Sequence, residues 1–265
     1  MEGDRAVEIG FADVGALLAS GTDWLAVARQ TDGLDVAVDS VSFAQPVLWP
    51  SKVICLGLNY ASHIAEMGHP RPEYPTLFAK FADSLTGPND PVLIPATSHQ
   101  VDWEVELGLV IGRAARHVEI EDALGYIAGL TVVNDVSMRD YQHRSSQFLQ
   151  GKMFSSSTPV GPVMVTPEEV DWGTDLALTT EVDGEVMQSS RTSDMIFGAA
   201  EIISYLSSIT ILRPGDLIAT GTPSGVGAGR DPQVFLAPGQ TVRCSIYGIG
   251  AVSNTFVADL GPGTG

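Results

Sequence analysis

Val101-Asp102-Trp103-Glu104-Val105-Glu106-Leu107-Gly108-Leu109-Val110-Ile111-Gly112 joins a polar, acidic half to an apolar one. Its second half is a continuous apolar run with the character of a buried strand. Side chains alternate along a strand, so Glu104 and Glu106 share one face and Val105 takes the other. Two carboxylates held together beside a buried strand repel each other and lose hydration, and a divalent cation relieves both problems. All-oxygen donors select magnesium, manganese or calcium over zinc. Taken locally, a solvated edge strand with its acids turned outward fits the same residues.

Downstream, Leu130-Thr131-Val132-Val133-Asn134 forms a second apolar strand with Asp135 at its C-terminal end. Asp135 is a third candidate ligand, or an ordinary strand-to-turn aspartate. Upstream, Gly57-Leu58-Asn59-Tyr60-Ala61-Ser62-His63-Ile64-Ala65-Glu66 follows the strand that starts at Val53. One helical turn brings His63 and Glu66 together, and a carboxylate beside an imidazole orients the ring and raises its basicity. That suits a water-activating base, although surface helices carry such pairs without function. The pair is not the H-x-x-E-H of zinc proteases, which would need His at Met67. Lys152 lies in a mostly apolar, glycine-flanked stretch, placed either to meet an anionic substrate or to reach the surface. Thr220-Gly221-Thr222-Pro223-Ser224-Gly225-Val226-Gly227 lacks the lysine of a phosphate loop and the spacing of a dinucleotide fingerprint. It is either a donor of backbone N–H groups to a carboxylate or a simple tight turn.

Further outward, β-rich runs alternate with Gly/Pro turns at residues 53–58, 92–94, 127–133, 176–182, 217–220, 241–246 and 252–257. Asp183-Gly184 predicts a hairpin turn. A helix is predicted over 193–207 with Asp194 near its N-terminus, and a short one after Glu121. Helical periodicity at 14–19 and 24–28, the second capped by Asp23, marks residues 1–48 as a small separate N-terminal unit ahead of a catalytic domain over 49–265. The expectation is a strand-dominated α+β fold rather than a regular βαβ repeat.

Composition narrows the function. The chain has 265 residues, 44% of them hydrophobic, enough for a large core, and a net charge of −18. Such a charge repels nucleic-acid backbones and anionic membranes. Cys55 and Cys244 have no metal or disulfide spacing and read as buried thiols in a reducing compartment. The N-terminus shows no secretory pattern and no run reaches the roughly 20 apolar residues of a membrane span, so a cytoplasmic location is expected.

Jointly, the motifs resemble the fumarylacetoacetate hydrolase family over roughly residues 50 to 258. The resemblance rests on Gly57-x-Asn59-Tyr60-x-x-His63-x-x-Glu66, Asp102-Trp103-Glu104-x-Glu106, Asn134-Asp135-x-Ser137-x-Arg139-Asp140-x-Gln142, Gly151-Lys152 and Thr220-Gly221-Thr222-Pro223-x-Gly225-Val226-Gly227. It implies the family's mixed β fold, a homodimer, and one Mg²⁺ or Mn²⁺ on Glu104, Glu106 and Asp135. It implies a water-activating dyad in His63 and Glu66, with Lys152 as a further catalytic residue, and a keto-acid substrate contacted by Arg139, Gln142, Lys152 and Thr222. The implied activity is hydrolysis of a C–C bond in an acylpyruvate such as fumarylpyruvate. Oxaloacetate decarboxylation and hydration or isomerisation of an unsaturated 2-keto acid are the alternatives on the same metal site, and a non-catalytic metabolite-binding protein is a more distant one. One departure stands out: smaller members often follow the lysine with Ser-Phe-Asp or Gly-Phe-Asp, and here Met153-Phe154-Ser155 follows it.

Overall fold

The computed structural model describes residues 5–29, 33–170 and 175–261. Two sheets share one core. The larger has seven strands in the order Thr76–Lys80, Val53–Gly57, Leu217–Ala219, Val105–Ile111, Ile127–Asn134, Thr158–Val165 and Leu85–Thr86. The smaller has five, in the order Glu185–Arg191, Ala177–Val182, Thr241–Ile246, Gly250–Ala258 and Val92–Ile94. With only a few short helices around them, these sheets form the strand-dominated α+β fold expected.

Alternation along the opening stretch explains the layering. Val105, Leu107, Leu109 and Ile111 join the core shared with Leu178, Val242, Cys244 and Val252 of the smaller sheet. Val110 joins a second cluster with Val53, Cys55, Leu217 and Ala219. Each such side chain removed from water contributes roughly 1.5–3 kcal/mol. The helix Ala199–Ile209 packs on the first core through Ile202, Ile203 and Leu206. The N-terminal helix Val14–Ala19 packs on the second cluster through Leu18, and the strands Arg5–Val7 and Asp35–Ala37 pair only with each other.

Local signals succeed where neighbours in sequence decide them. Asp183 and Gly184 take φ of 50° and 84° and join Ala177–Val182 to Glu185–Arg191 as a hairpin. Asp13 and Asp23 cap the two N-terminal helices by accepting from Ala16 N and Ala26 N. The helix expected from Ser193 begins later, at Ala199, and runs to Ile209. Asp194 does not cap it, because its carboxylate accepts from the backbone and hydroxyl of Ser62 instead. The Gly198 amide donates to Glu201 Oε2 at the true helix start. In the larger sheet Thr76–Lys80, Leu85–Thr86 and Thr158–Val165 lie outside the runs expected from the pattern, and the last carries Pro159 and Pro162.

Candidate active site

Antiparallel pairing sets Glu106 opposite Val133 and Val105 opposite Asn134. The pairing continues past the strand ends: the Asp135 amide donates to the Glu104 carbonyl at 2.9 Å, and the Glu104 amide donates to Asn134 Oδ1 at 3.0 Å. Two strand ends therefore deliver Glu104, Glu106 and Asp135 to one point. All three are buried, and one oxygen from each lies within 4.8 Å of the others.

Three buried cations surround the cluster. Lys152 Nζ donates to Glu104 Oε2 and Asp135 Oδ2, each at 2.8 Å. Arg139 Nη1 lies 2.6 Å from Glu104 Oε1, and its Nε donates to Asp102 Oδ2 at 2.9 Å. Lys80 Nζ lies 2.7 Å from Asp135 Oδ1, off the line of a directed hydrogen bond, so that oxygen has no aligned donor. Burial opposes ionisation of Glu104, but Lys152 and Arg139 outweigh it and hold its carboxyl below the usual range. Glu106 differs. Its Oε2 accepts from the Gly221 amide at 2.8 Å, yet among the described residues no basic side chain pairs with it. Burial first, then Asp135 and Glu104, push its carboxyl well above the usual range. Four buried carboxyl groups, Asp102, Glu104, Glu106 and Asp135, thus face three buried cations, and Glu106 is the one left without a counter-charge among the described residues. A crowded, under-neutralised, all-oxygen cluster fits a divalent cation such as Mg²⁺ or Mn²⁺.

His63 is 8% exposed and sits on the helix Ala61–Glu66, with Nδ1 3.1 Å from Glu66 Oε2. The other Glu66 oxygen accepts from the Gly225 amide at 2.9 Å. Burial raises the Glu66 pKa, but the His63 hydrogen bond, the Gly225 amide and the nearby charges of His63 and Arg230 outweigh it, and the net shift is downward. The helix is tied down at its start, where Ser62 meets Asp194 and the Ser224 amide donates to Ser62 Oγ at 3.4 Å. Asn59 adds a donor bond to Thr220 O at 2.8 Å.

These groups meet at a cavity of about 170 Å³ whose wall includes His63, Glu104, Arg139, Gln142, Lys152 and Thr222. Among the described residues Arg139 Nη2 is buried with no partner. Gln142 Oε1 accepts from Arg139 Nη1 at 2.9 Å and fixes the guanidinium plane. The Thr222 hydroxyl donates to Val105 O at 2.9 Å and accepts from Gln188 Nε2 at 2.9 Å, so its proton is already committed. Glu66 stands behind His63, and Glu106 and Asp135 lie beyond the cavity lining. The sequence reading missed Lys80, which bonds Lys152 O at 2.6 Å and Thr158 Oγ1 at 2.7 Å. It also missed Gln188, which comes from the smaller sheet and binds Pro223 O and Val105 N. A lysine ending the apolar run Leu77-Phe78-Ala79 was the only hint of Lys80.

Two packed sheets thus bring a buried acidic cluster beside a small cavity with basic walls. The fumarylacetoacetate hydrolase C-terminal family model matches residues 52–257, and the chain belongs to that family. It is 43% identical over 245 residues to the human mitochondrial oxaloacetate tautomerase FAHD2B, covering 91% of this chain and 78% of that protein. A solved structure from Mycobacterium smegmatis superposes with a TM-score of 0.90 at 40% identity, covering 97% of this chain and 95% of that one. The 2-hydroxyhepta-2,4-diene-1,7-dioate isomerase of Mycobacterium marinum superposes with a TM-score of 0.77 at 38% identity, covering 88% and 84%. Among the described residues no helix is long and apolar enough to cross a membrane.

Proposed function

We propose that this chain catalyses a proton shift beside the keto group of a short 2-oxo acid, with keto–enol tautomerisation of oxaloacetate as the reaction. The carrying observation is the buried His63–Glu66 pair on the wall of the cavity. An ionised Glu66 accepts from His63 Nδ1–H, which leaves the basic lone pair on Nε2. Nε2 takes a proton from the carbon next to the keto group and returns it to the keto oxygen, so the substrate is isomerised with no net gain or loss of atoms. Arg139, through its unpartnered Nη2, and Lys152 bind and orient the substrate carboxylate. Glu104, Glu106 and Asp135 would hold the divalent cation, which when bound supplies Lewis-acid polarisation of the keto oxygen. The relatives named for tautomerase and isomerase activity both carry out proton shifts, which supports this reading. The small cavity, below the few hundred Å³ of a drug-sized site, suits a four-carbon acid.

Hydrolysis of an acylpyruvate C–C bond is the second reading, favoured by the same dyad, which would deprotonate a water instead of a carbon. The two separate on a substrate panel followed by ultraviolet absorbance with Mg²⁺ or Mn²⁺. The expected result is faster decay of the oxaloacetate enol band than in buffer, with fumarylpyruvate and acetylpyruvate left intact. Cleavage of an acylpyruvate without any effect on the enol band would replace the first reading by the second.

A further inference from the structure

The chain carries −18 overall, yet the cavity wall reverses that sign. Of its lining residues only Glu104 is acidic, whereas His63, His69, Arg139, His143 and Lys152 are basic. Three of the five histidines in the sequence line this one cavity. His63 lies deep, and His69 and His143 are exposed at the mouth.

The placement of the outer two follows from the backbone. His69 lies just beyond the helix that carries His63, held by its amide donating to Ile64 O at 3.0 Å after Gly68 turns the chain at φ 68°. His143 caps the short helix Arg139–Gln142, its amide donating to Arg139 O at 3.1 Å. Each wall thus presents one basic group deep in the cavity and a histidine at the rim. Glu104 is the one acid among the lining residues and is already paired with Arg139 and Lys152, so no lining carboxylate pairs with either rim imidazole. Burial first, then the like charges of Arg139 and His69, lower the His143 pKa, which places both bases within electrostatic reach of it.

We propose that His69 and His143 form a receptor for a second anionic group, so that the preferred ligand is a dianionic 2-oxo acid with one carboxylate on Arg139 and Lys152 and the other at the mouth. This rests on the reading of the cavity as a 2-oxo acid site and adds what selects among such acids. Among the described residues neither imidazole has a carboxylate partner, so each has a ring N–H to donate to an anion, and the Arg139 and Lys152 charges behind them draw a dianion into an otherwise acidic protein.

The test uses the Mg²⁺-loaded protein, its His69→Gln, His143→Gln and doubly substituted variants, and two probes, oxaloacetate and the monoanion pyruvate. Calorimetric binding of pyruvate is expected to be the same in all four proteins. For oxaloacetate the double variant is expected to raise KM roughly tenfold while kcat falls by much less. An unchanged oxaloacetate KM in the double variant overturns the proposal, as does equal weakening of pyruvate, which would mark a general loss of shape or charge. Should the wild-type protein bind oxaloacetate without turning it over, the tautomerase reading fails alone. The calorimetric preference for oxaloacetate over pyruvate, and its loss in the double variant, then still decides the receptor.

Discussion

The Lys80 ammonium lies 2.7 Å from Asp135 Oδ1, and both side chains are fully buried. Lys80 ends the edge strand of the larger sheet, and Asp135 follows the strand end that delivers the acidic cluster. The same ammonium holds the carbonyl of Lys152, so one residue neutralises a carboxylate and anchors the neighbouring cation. Removing one partner of a buried ion pair leaves an uncompensated charge. Lys80→Met is therefore expected to cost about 3 kcal/mol in urea-denaturation stability of the metal-free protein. A loss below about 0.5 kcal/mol, the range of ordinary surface substitutions, would show that Lys80 is dispensable to the cluster.

Glu106→Gln tests the metal assignment. Glu106 is the carboxylate without a basic partner, and the Gly221 amide can still donate to the amide oxygen of glutamine. The variant is expected to keep its circular dichroism spectrum and lose calorimetric Mg²⁺ binding by at least roughly 100-fold, in line with the loss of one charged ligand. Unchanged Mg²⁺ affinity would remove Glu106 from the ligand set.

Gly229 offers a test of geometry without a change in charge. A Cβ built there would lie 2.5 Å from Glu66 Cδ and 2.8 Å from Glu66 Oε2. The end of a flexible side chain gives way more easily than backbone, so Gly229→Ala displaces the carboxylate and spares the fold. Stability is expected to change by less than about 0.5 kcal/mol while kcat falls about 100-fold, the scale of a misplacement near 1 Å. Full activity would mean that Glu66 does not need its observed position.

The pH dependence follows from the same carboxylate. The net shift of Glu66 is downward from 4.5, so the dyad keeps its ionised partner to the acid side of an ordinary glutamate. Its contribution to stability is present above the unfolded value and is lost as pH falls through the depressed folded value. Arg230 is among the groups that lower it. Arg230→Gln is expected to raise the Glu66 pKa, read by following the Glu66 carboxyl through a pH titration by NMR in wild type and variant. A Glu66 titration that stays in place, or moves to lower pH, would remove Arg230 from the groups that hold the carboxylate ionised.

How much of this was legible in the sequence depended on the range of the interactions. The strand over Val105–Ile111 and the Asp183-Gly184 hairpin are decided by residues a few positions apart, and both read correctly. The convergence of Glu104, Glu106 and Asp135 was only suggested by alternation and strand ends, and strand pairing had to bring the two segments together. Asp194 misled, because a short polar residue before an apolar helix looks like a cap, while its actual partner, Ser62, lies 132 positions away. Lys80 and Gln188 were invisible for the same reason: each works through partners on other strands and loops. The resemblance gave Thr222 as a substrate contact, and only the folded chain shows its proton given to Val105 O. The motif set as a whole pointed to the family and not to the reaction, so the expected acylpyruvate hydrolysis stands beside proton-shift chemistry.

Proton transfer by His63 is read from the relaxation rate of the oxaloacetate enol band with Mg²⁺, compared between wild type and His63→Gln at equal, saturating substrate. The wild-type protein is expected to accelerate relaxation well above buffer and the variant to lose at least roughly 100-fold of that acceleration, the share a positioned general base supplies. A His63→Gln protein that relaxes the enol as fast as wild type would contradict proton transfer by His63.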